Sequence, residues 1–105
     1  MRFIIVTWEF EGFHAFPNAP IDVAFLRNEH RHLFKCRAEI EVTHLDRELE
    51  FIQVKRFLST IGQPCQGSCE MMAKSFYEVI SEAYGDRRVR VEVWEDGENA
   101  GGVMS

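Results

Sequence analysis

The chain has 105 residues, of which 46% are hydrophobic, 12% aromatic and 28% charged, and its formal net charge at pH 7 is −5. This composition excludes a disordered chain and fits a single globular domain spanning 1–105. The acidic balance argues against a nucleic-acid partner, and no apolar run reaches the ~18–20 residues that a membrane span requires. The N-terminal segment lacks the apolar stretch of a signal peptide, and three cysteines form no disulfide framework, so we expect a cytoplasmic protein.

Two strands are predicted in the first half of the chain. Residues 3–14 alternate between apolar and polar side chains, which is typical of a half-buried strand. Prolines then predict a loop over 15–28, with a helical turn around Val23–Leu26. The alternation returns over 30–42, where one buried face and one solvated face predict the second strand.

Two helices follow. Asp46-Arg47 suits a turn, and a short extended piece is expected after it. A helix over 52–61 is predicted from an apolar stripe at helical spacing, formed by Val54, Phe57, Leu58 and Ile61. A second helix over 69–84, from the N-cap Ser68 to the C-cap Gly85, is predicted to bury Met72, Phe76, Val79, Ile80 and Ala83.

A third strand over 87–95 and a very short fourth one, Gly101–Met104, complete the pattern. Asp96-Gly97 between them is a hairpin signal. The order ββααββ predicts an α+β fold with an antiparallel sheet.

Three histidines lie in the inward phase of the first two strands. His30 and His32 are two residues apart, so in a strand they point the same way. His14 shares the inward phase of the neighbouring strand, so a hairpin can bring it to the same place. Three neutral imidazoles can bind one Zn²⁺ and leave a fourth position open, which is the catalytic pattern. The alternative is that these histidines are satisfied by the protein or by solvent.

Glu95 continues the face of three valines at the end of the third strand. An unpaired carboxylate is costly there if it is buried, so it either reaches solvent or meets a ligand. A ligand with an N–H and an NH₂ side by side, as in guanine and pterin rings, suits a carboxylate.

The three cysteines and the fourth histidine complete the set of candidate residues. Cys69 lies at a helix N-terminus, where a thiolate is favoured, so it is a candidate reactive thiol. Cys65 and Cys69 lack a second pair at zinc-finger spacing, and Cys36 fits the core. His44 stands beside charged residues and is interpreted as a solvated turn residue.

Five segments, in chain order, resemble the 6-pyruvoyltetrahydropterin and 6-carboxytetrahydropterin synthase family. They are Phe10-Glu11-Gly12-Phe13-His14, His30-Arg31-His32, Leu49-Glu50-Phe51 with Lys55, Ser68-Cys69-Glu70 with Ala73, and Val91-Glu92-Val93-Trp94-Glu95. They are similar to the family's first-strand motif, its His-Gly-His pair, the starts of its two helices and its closing strand. Arg31 stands where the family has glycine.

The resemblance implies the tunnelling fold, in which a four-stranded antiparallel sheet carries two helices on one face. It also implies a ring-shaped homo-oligomeric barrel with the ligand pocket between subunits. His14, His30 and His32 would be zinc ligands, and Glu95, helped by Glu70, would hold a pterin or purine-like ring. The family reaction acts on dihydroneopterin triphosphate.

The chain departs from the family where protons are transferred. Leu26 stands four residues before His30, where the family often has its catalytic Cys, and Ser59–Gly67 lacks the family's Asp and His. Either Cys69 or Cys65 takes over the role of the missing catalytic residues, or the chain has lost the family reaction. One hypothesis is therefore a zinc-binding pterin-synthase-like lyase, and the other a catalytically silent tunnelling-fold protein that acts by ligand binding or assembly.

Overall fold

The computed structural model describes all 105 residues. Four strands and two α-helices follow one another with one 3-10 helix, Ile21–Arg27, in the first connection. The elements are β1 (Arg2–His14), β2 (His30–Val42), α1 (Phe51–Ile61), α2 (Cys69–Tyr84), β3 (Val89–Glu95) and β4 (Asn99–Met104). The predicted α+β class and the order ββααββ are confirmed.

The four strands form one antiparallel sheet in the order β1-β2-β3-β4, so β1 and β4 are its edges. Both helices cover the same face, because their buried side chains and those of the strands form a single core cluster. Its largest fully buried members are Phe34, Phe76, Ile40, Leu58, Met72 and Ile80. No helix has the length and apolar character needed to cross a membrane.

The element boundaries follow from local chemistry. Ser68 caps α2 by accepting a hydrogen bond from the Met71 N–H at 3.2 Å, and Gly85 ends it with a φ of 86°. Both boundaries are as predicted, since a serine oxygen satisfies a free N–H and glycine tolerates positive φ. Asp96 and Gly97 join β3 to β4 with φ values of 52° and 75°. Two positive φ values are typical of the tight turns that match the twist of a hairpin.

Some predicted details are wrong. No strand forms between β2 and α1, where Glu50 instead caps α1 by accepting from the N–H groups of Ile52 and Gln53. Phe57 is 38% exposed, and Ala83 is also exposed, so the buried stripe of each helix is narrower than its apolar pattern. β3 begins at Val89 rather than at 87, and β4 begins at Asn99.

The edge of β1 is covered at one point by a side chain. The Phe13 N–H donates to Gln63 Oε1 at 3.2 Å, and Gln63 Nε2 donates to the Phe13 carbonyl. The amide thereby acts as a neighbouring strand would at this residue. Gly12 gives it room, since a Cβ there would lie 2.8 Å from Gln63 Oε1.

Glu48 fixes the connection between β2 and α1. Its carboxylate accepts from the Thr43 N–H at 3.0 Å and from the Thr43 hydroxyl, and it pairs with the Arg87 guanidinium. Arg87 also donates to the Glu41 carbonyl at 3.0 Å. The hydrogen bonds from Thr43 and Arg87 lower the pKa of Glu48 from 4.5 to about 2.

We expect Glu48→Gln to lower the free energy of unfolding at pH 7. In acid, the difference between the variant and the wild type should disappear. The pKa of the folded carboxyl lies below its ordinary value, so its stabilising contribution is present above pH 4.5 and is lost as the pH falls towards about 2. Urea unfolding of both proteins at a series of pH values measures the difference.

The matched control is Glu82→Gln, which removes an exposed carboxylate from α2. Its difference from the wild type should stay small at every pH. A Glu48→Gln difference that persists unchanged at pH 2 would contradict the assignment.

Candidate metal centre

Strand pairing brings the three predicted histidines together at one end of the sheet. His14 ends β1 and lies directly opposite His30, the first residue of β2, while His32 lies opposite Gly12. The ring centroids of the three imidazoles are 4.5 to 5.2 Å apart. One ring nitrogen of each lies within 4.8 Å of the other two. The shared inward phase therefore identified a real cluster.

Each imidazole is held from outside by an oxygen that can only accept a hydrogen bond. The Nδ1 contacts are 3.1 Å from His14 to the Gly67 carbonyl, 2.9 Å from His30 to the Asn28 carbonyl and 2.6 Å from His32 to Asp96 Oδ2. These partners place the ring hydrogen on Nδ1, so each Nε2 of a neutral ring carries a lone pair. The cluster thus presents three lone pairs, which is the donor set that Zn²⁺ binds.

Glu95 adds a carboxylate to this cluster. Its Oε1 lies 3.1 Å from His14 Nε2, and its Oε2 lies 3.8 Å from His32 Nε2. The Nε2 atom of His32 is buried and has no hydrogen-bond partner. The alternative, that the protein satisfies the histidines, explains every Nδ1 contact but leaves this atom unexplained. A cation held by the three imidazoles would account for both the Nδ1 contacts and the free Nε2 of His32.

Asp96 is a site residue that the sequence predicted only as part of a turn. Its second oxygen accepts from the Leu33 N–H at 2.8 Å while the first holds His32. The hydrogen bonds from His32 and from the Leu33 backbone lower the pKa of Asp96. One sequence signal could have indicated this role: Asp96 directly follows β3, and β3 pairs with the strand that carries His30 and His32. Carboxylate–imidazole–metal arrangements of this kind orient a ligand and raise its basicity.

Cys69 is buried beside the cluster, with its Sγ 3.7 Å from Glu95 Oε1. Burial and the Glu95 carboxylate raise the pKa of the Cys69 thiol to about 12. The expectation that the helix N-terminus favours a thiolate here is therefore wrong, because burial and a nearby anion outweigh the helix dipole. At this pKa the thiol stays protonated at neutral pH.

Glu70 is not joined to the histidines or to Glu95 by any hydrogen bond or ion pair. It is exposed and packs against Gly101 of β4, where any side chain would collide with it. Cys65 is half-buried and packs against the core. His44 is exposed and lies 3.9 Å from Glu48, away from the other histidines, as predicted.

Comparison of the chain with known proteins identified no similar protein. No protein-family model matches the chain, no curated protein matches it significantly, and neither does any solved structure. The resemblance to pterin synthases thus stays a hypothesis based on sequence motifs, and the geometry of the cluster carries the functional argument.

Asp96→Asn tests the outer support of the cluster. Asparagine tolerates the same positive φ, but its NH₂ group must face either the His32 Nδ1–H or the Leu33 N–H, each of which needs an acceptor. We expect zinc affinity to fall about 10- to 100-fold. Competition titration against a chromophoric chelator measures the affinity.

Two further variants bracket this result. His32→Ala removes a proposed ligand and should abolish tight binding, whereas Glu98→Gln removes a charge from the same hairpin and should leave the affinity unchanged. Wild-type affinity in both Asp96→Asn and His32→Ala would show that the ligand set is wrong.

Proposed function

We propose that this chain is a zinc-dependent, pterin-synthase-like protein of the tunnelling fold, which binds a pterin or purine-like ring at the histidine cluster. The observation that carries the proposal is the convergence of three imidazoles whose Nδ1 atoms are all held by acceptors. With neutral rings, each Nε2 keeps an unused lone pair, and at His32, where Nε2 is buried without a partner, this costs free energy unless a cation binds it.

His14, His30 and His32 would hold the ion. When bound, Zn²⁺ supplies Lewis-acid chemistry that polarises an oxygen of the ligand. The carbonyls of Asn28 and Gly67 belong to the two connections that flank the site, so these connections fix the rings of His30 and His14. Asp96 fixes the third ring.

Glu95 is the proposed recognition group for the ring. Its side chain is 33% exposed, so a ligand can reach it, and its two oxygens match a neighbouring N–H and NH₂. Glu70 remains a second candidate for ring binding, although in the single chain it packs over β4. Four surface concavities of the chain are lined neither by Glu95 nor by His14, His30 or His32. We therefore propose that a second subunit completes the pocket.

The catalytic part of the proposal depends on one thiol. Cys69 is the candidate catalytic residue, but its thiol beside Glu95 stays protonated, which makes it a weak acid and not a thiolate nucleophile or base. This favours the second hypothesis, a catalytically silent binding protein, over a lyase that acts on dihydroneopterin triphosphate. We expect turnover of that compound to be slow or absent, and any turnover to depend on Cys69.

Assembly into a ring follows from the open edges of the sheet. β1 has 13 residues and pairs with β2 on one side only, and Phe3 and Ile5 of β1 are 48% and 44% exposed. Such an edge is an association hazard unless another strand or element covers it, and joining sheets into a closed barrel removes it. Free cysteines at positions 36, 65 and 69 suit the reducing cytoplasm, where we place the protein.

Glu95→Gln tests ring recognition. The amide keeps the shape but replaces one acceptor with a donor, so an N–H faces an N–H. With zinc kept saturating, affinity for a pterin should fall by about 2–4 kcal/mol, or roughly 30- to 1000-fold. Isothermal titration with pterin measures it.

The control for this experiment is again Glu98→Gln, which should bind pterin as the wild type does. Equal pterin affinity in Glu95→Gln and the wild type would remove the recognition role and leave the zinc site standing. Absence of pterin binding by the zinc-loaded wild type would refute the pterin part of the proposal.

Light scattering at micromolar concentration tests the assembly. We expect a closed homo-oligomer, because a single chain leaves two sheet edges and the apolar side chains of Phe3 and Ile5 exposed. Ile5→Lys places a charge at the edge of β1 and should shift the population towards smaller species. A monomeric wild type would contradict both the ring and the shared pocket.

A further inference from the structure

Glu95 lies where a metal ligand would lie. Its two oxygens face two of the three clustered imidazoles, and each faces the ring nitrogen that is free of an outer partner. The contact therefore needs its own explanation.

With a neutral His14 ring, the contact between Glu95 and His14 would join two acceptors. The His14 Nδ1–H faces the Gly67 carbonyl, so the neutral ring presents a lone pair at Nε2. A carboxylate oxygen 3.1 Å from Nε2 is stabilised either by a proton on that nitrogen or by a metal ion between the two atoms. The same holds for His32, whose Nδ1 faces Asp96 and whose Nε2 lacks any partner.

The distances fit shared coordination. Two ligand atoms at about 2.0–2.1 Å from one tetrahedral zinc lie about 3.3 Å apart. The 3.1 Å contact to His14 matches this value, and the 3.8 Å contact to His32 exceeds it by about half an ångström. The ring nitrogens lie up to 4.8 Å from one another. To share one zinc ion, the imidazoles would therefore have to move further than the Glu95 carboxylate.

We propose that Glu95 is the fourth protein ligand of the ion, so that the centre has a His₃Glu donor set. This inference rests on the zinc site proposed above and changes one part of it, because four protein ligands fill a tetrahedral zinc. A carboxylate that faces His14 cannot also face a ring. Glu95 therefore has to change partner when a ring binds, and ring recognition competes with metal ligation for the same side chain.

The test uses the full chain with Zn²⁺ and Co²⁺ and no pterin. Removal of an outer partner costs about 10- to 100-fold in metal affinity, so Glu95→Ala, which removes a ligand, should lose at least about 100-fold. In the Co²⁺ protein, visible absorption reports the coordination number. The spectrum should change in Glu95→Ala, and added azide should alter it further by taking the vacated position. Wild-type protein should respond little to azide.

Two variants distinguish metal ligation by Glu95 from a general effect of its negative charge and from an effect of its side-chain length. Glu98→Gln removes one negative charge from the adjacent hairpin and should keep both the affinity and the Co²⁺ spectrum of the wild type. Glu95→Asp retains a carboxylate on a shorter side chain and should recover part of the affinity. Circular dichroism establishes that each variant is folded.

The outcomes are distinguishable. Equal metal affinity and equal Co²⁺ spectra in the wild type and Glu95→Ala would overturn the fourth-ligand assignment while leaving the three-histidine site intact. Absence of metal binding by the wild type would remove the proposed zinc centre together with this inference.

Discussion

The pairing register of β1 with β2 is the constraint on which the rest of the site depends. It places His14 opposite His30 and, two residues along, Gly12 opposite His32. A shift of one residue would send His14 and the buried Trp8 to the opposite face, because side chains alternate along a strand. The same register pairs Trp8 with Cys36 inside the core. Hydrophobic burial in the middle of the sheet thus positions the polar cluster at its end.

The orientation of the imidazoles depends on groups outside the sheet. Two rings are held by main-chain carbonyls of irregular segments, at Asn28 and Gly67, and the third by Asp96 in the β3–β4 turn. Three separate connections therefore converge on the cluster. Their common effect is to leave Nε2 of every ring free of an outer partner, so that the three imidazoles form a group that could hold a metal ion.

Alternation and end signals in the sequence predicted β2, α2 and the three-histidine cluster, since these depend on local chemistry and on the phase of a strand. Other features depend on contacts between distant residues. Phe57 is exposed because the sheet buries only Val54 and Leu58 of α1. The helical spacing of apolar residues does not indicate how wide a stripe of the helix is covered. The raised pKa of Cys69 comes from its burial and from Glu95, 26 residues away. The role of Asp96 required the register of β3 against β2.

The hydrogen bonds between Gln63 and Phe13 limit how far a second chain can extend the sheet. In an edge strand every other residue directs its N–H and C=O outward, and in β1 the outward residue nearest the histidines is Phe13. Because Gln63 occupies those groups, an added strand can form its ladder only from Phe3 to Glu11. Such a strand stops short of His14, and the Gln63 side chain takes its place at that end of the seam. In a closed ring, a side chain instead of a continuous strand would then lie beside every cluster, and a side chain can rotate aside to admit a small molecule.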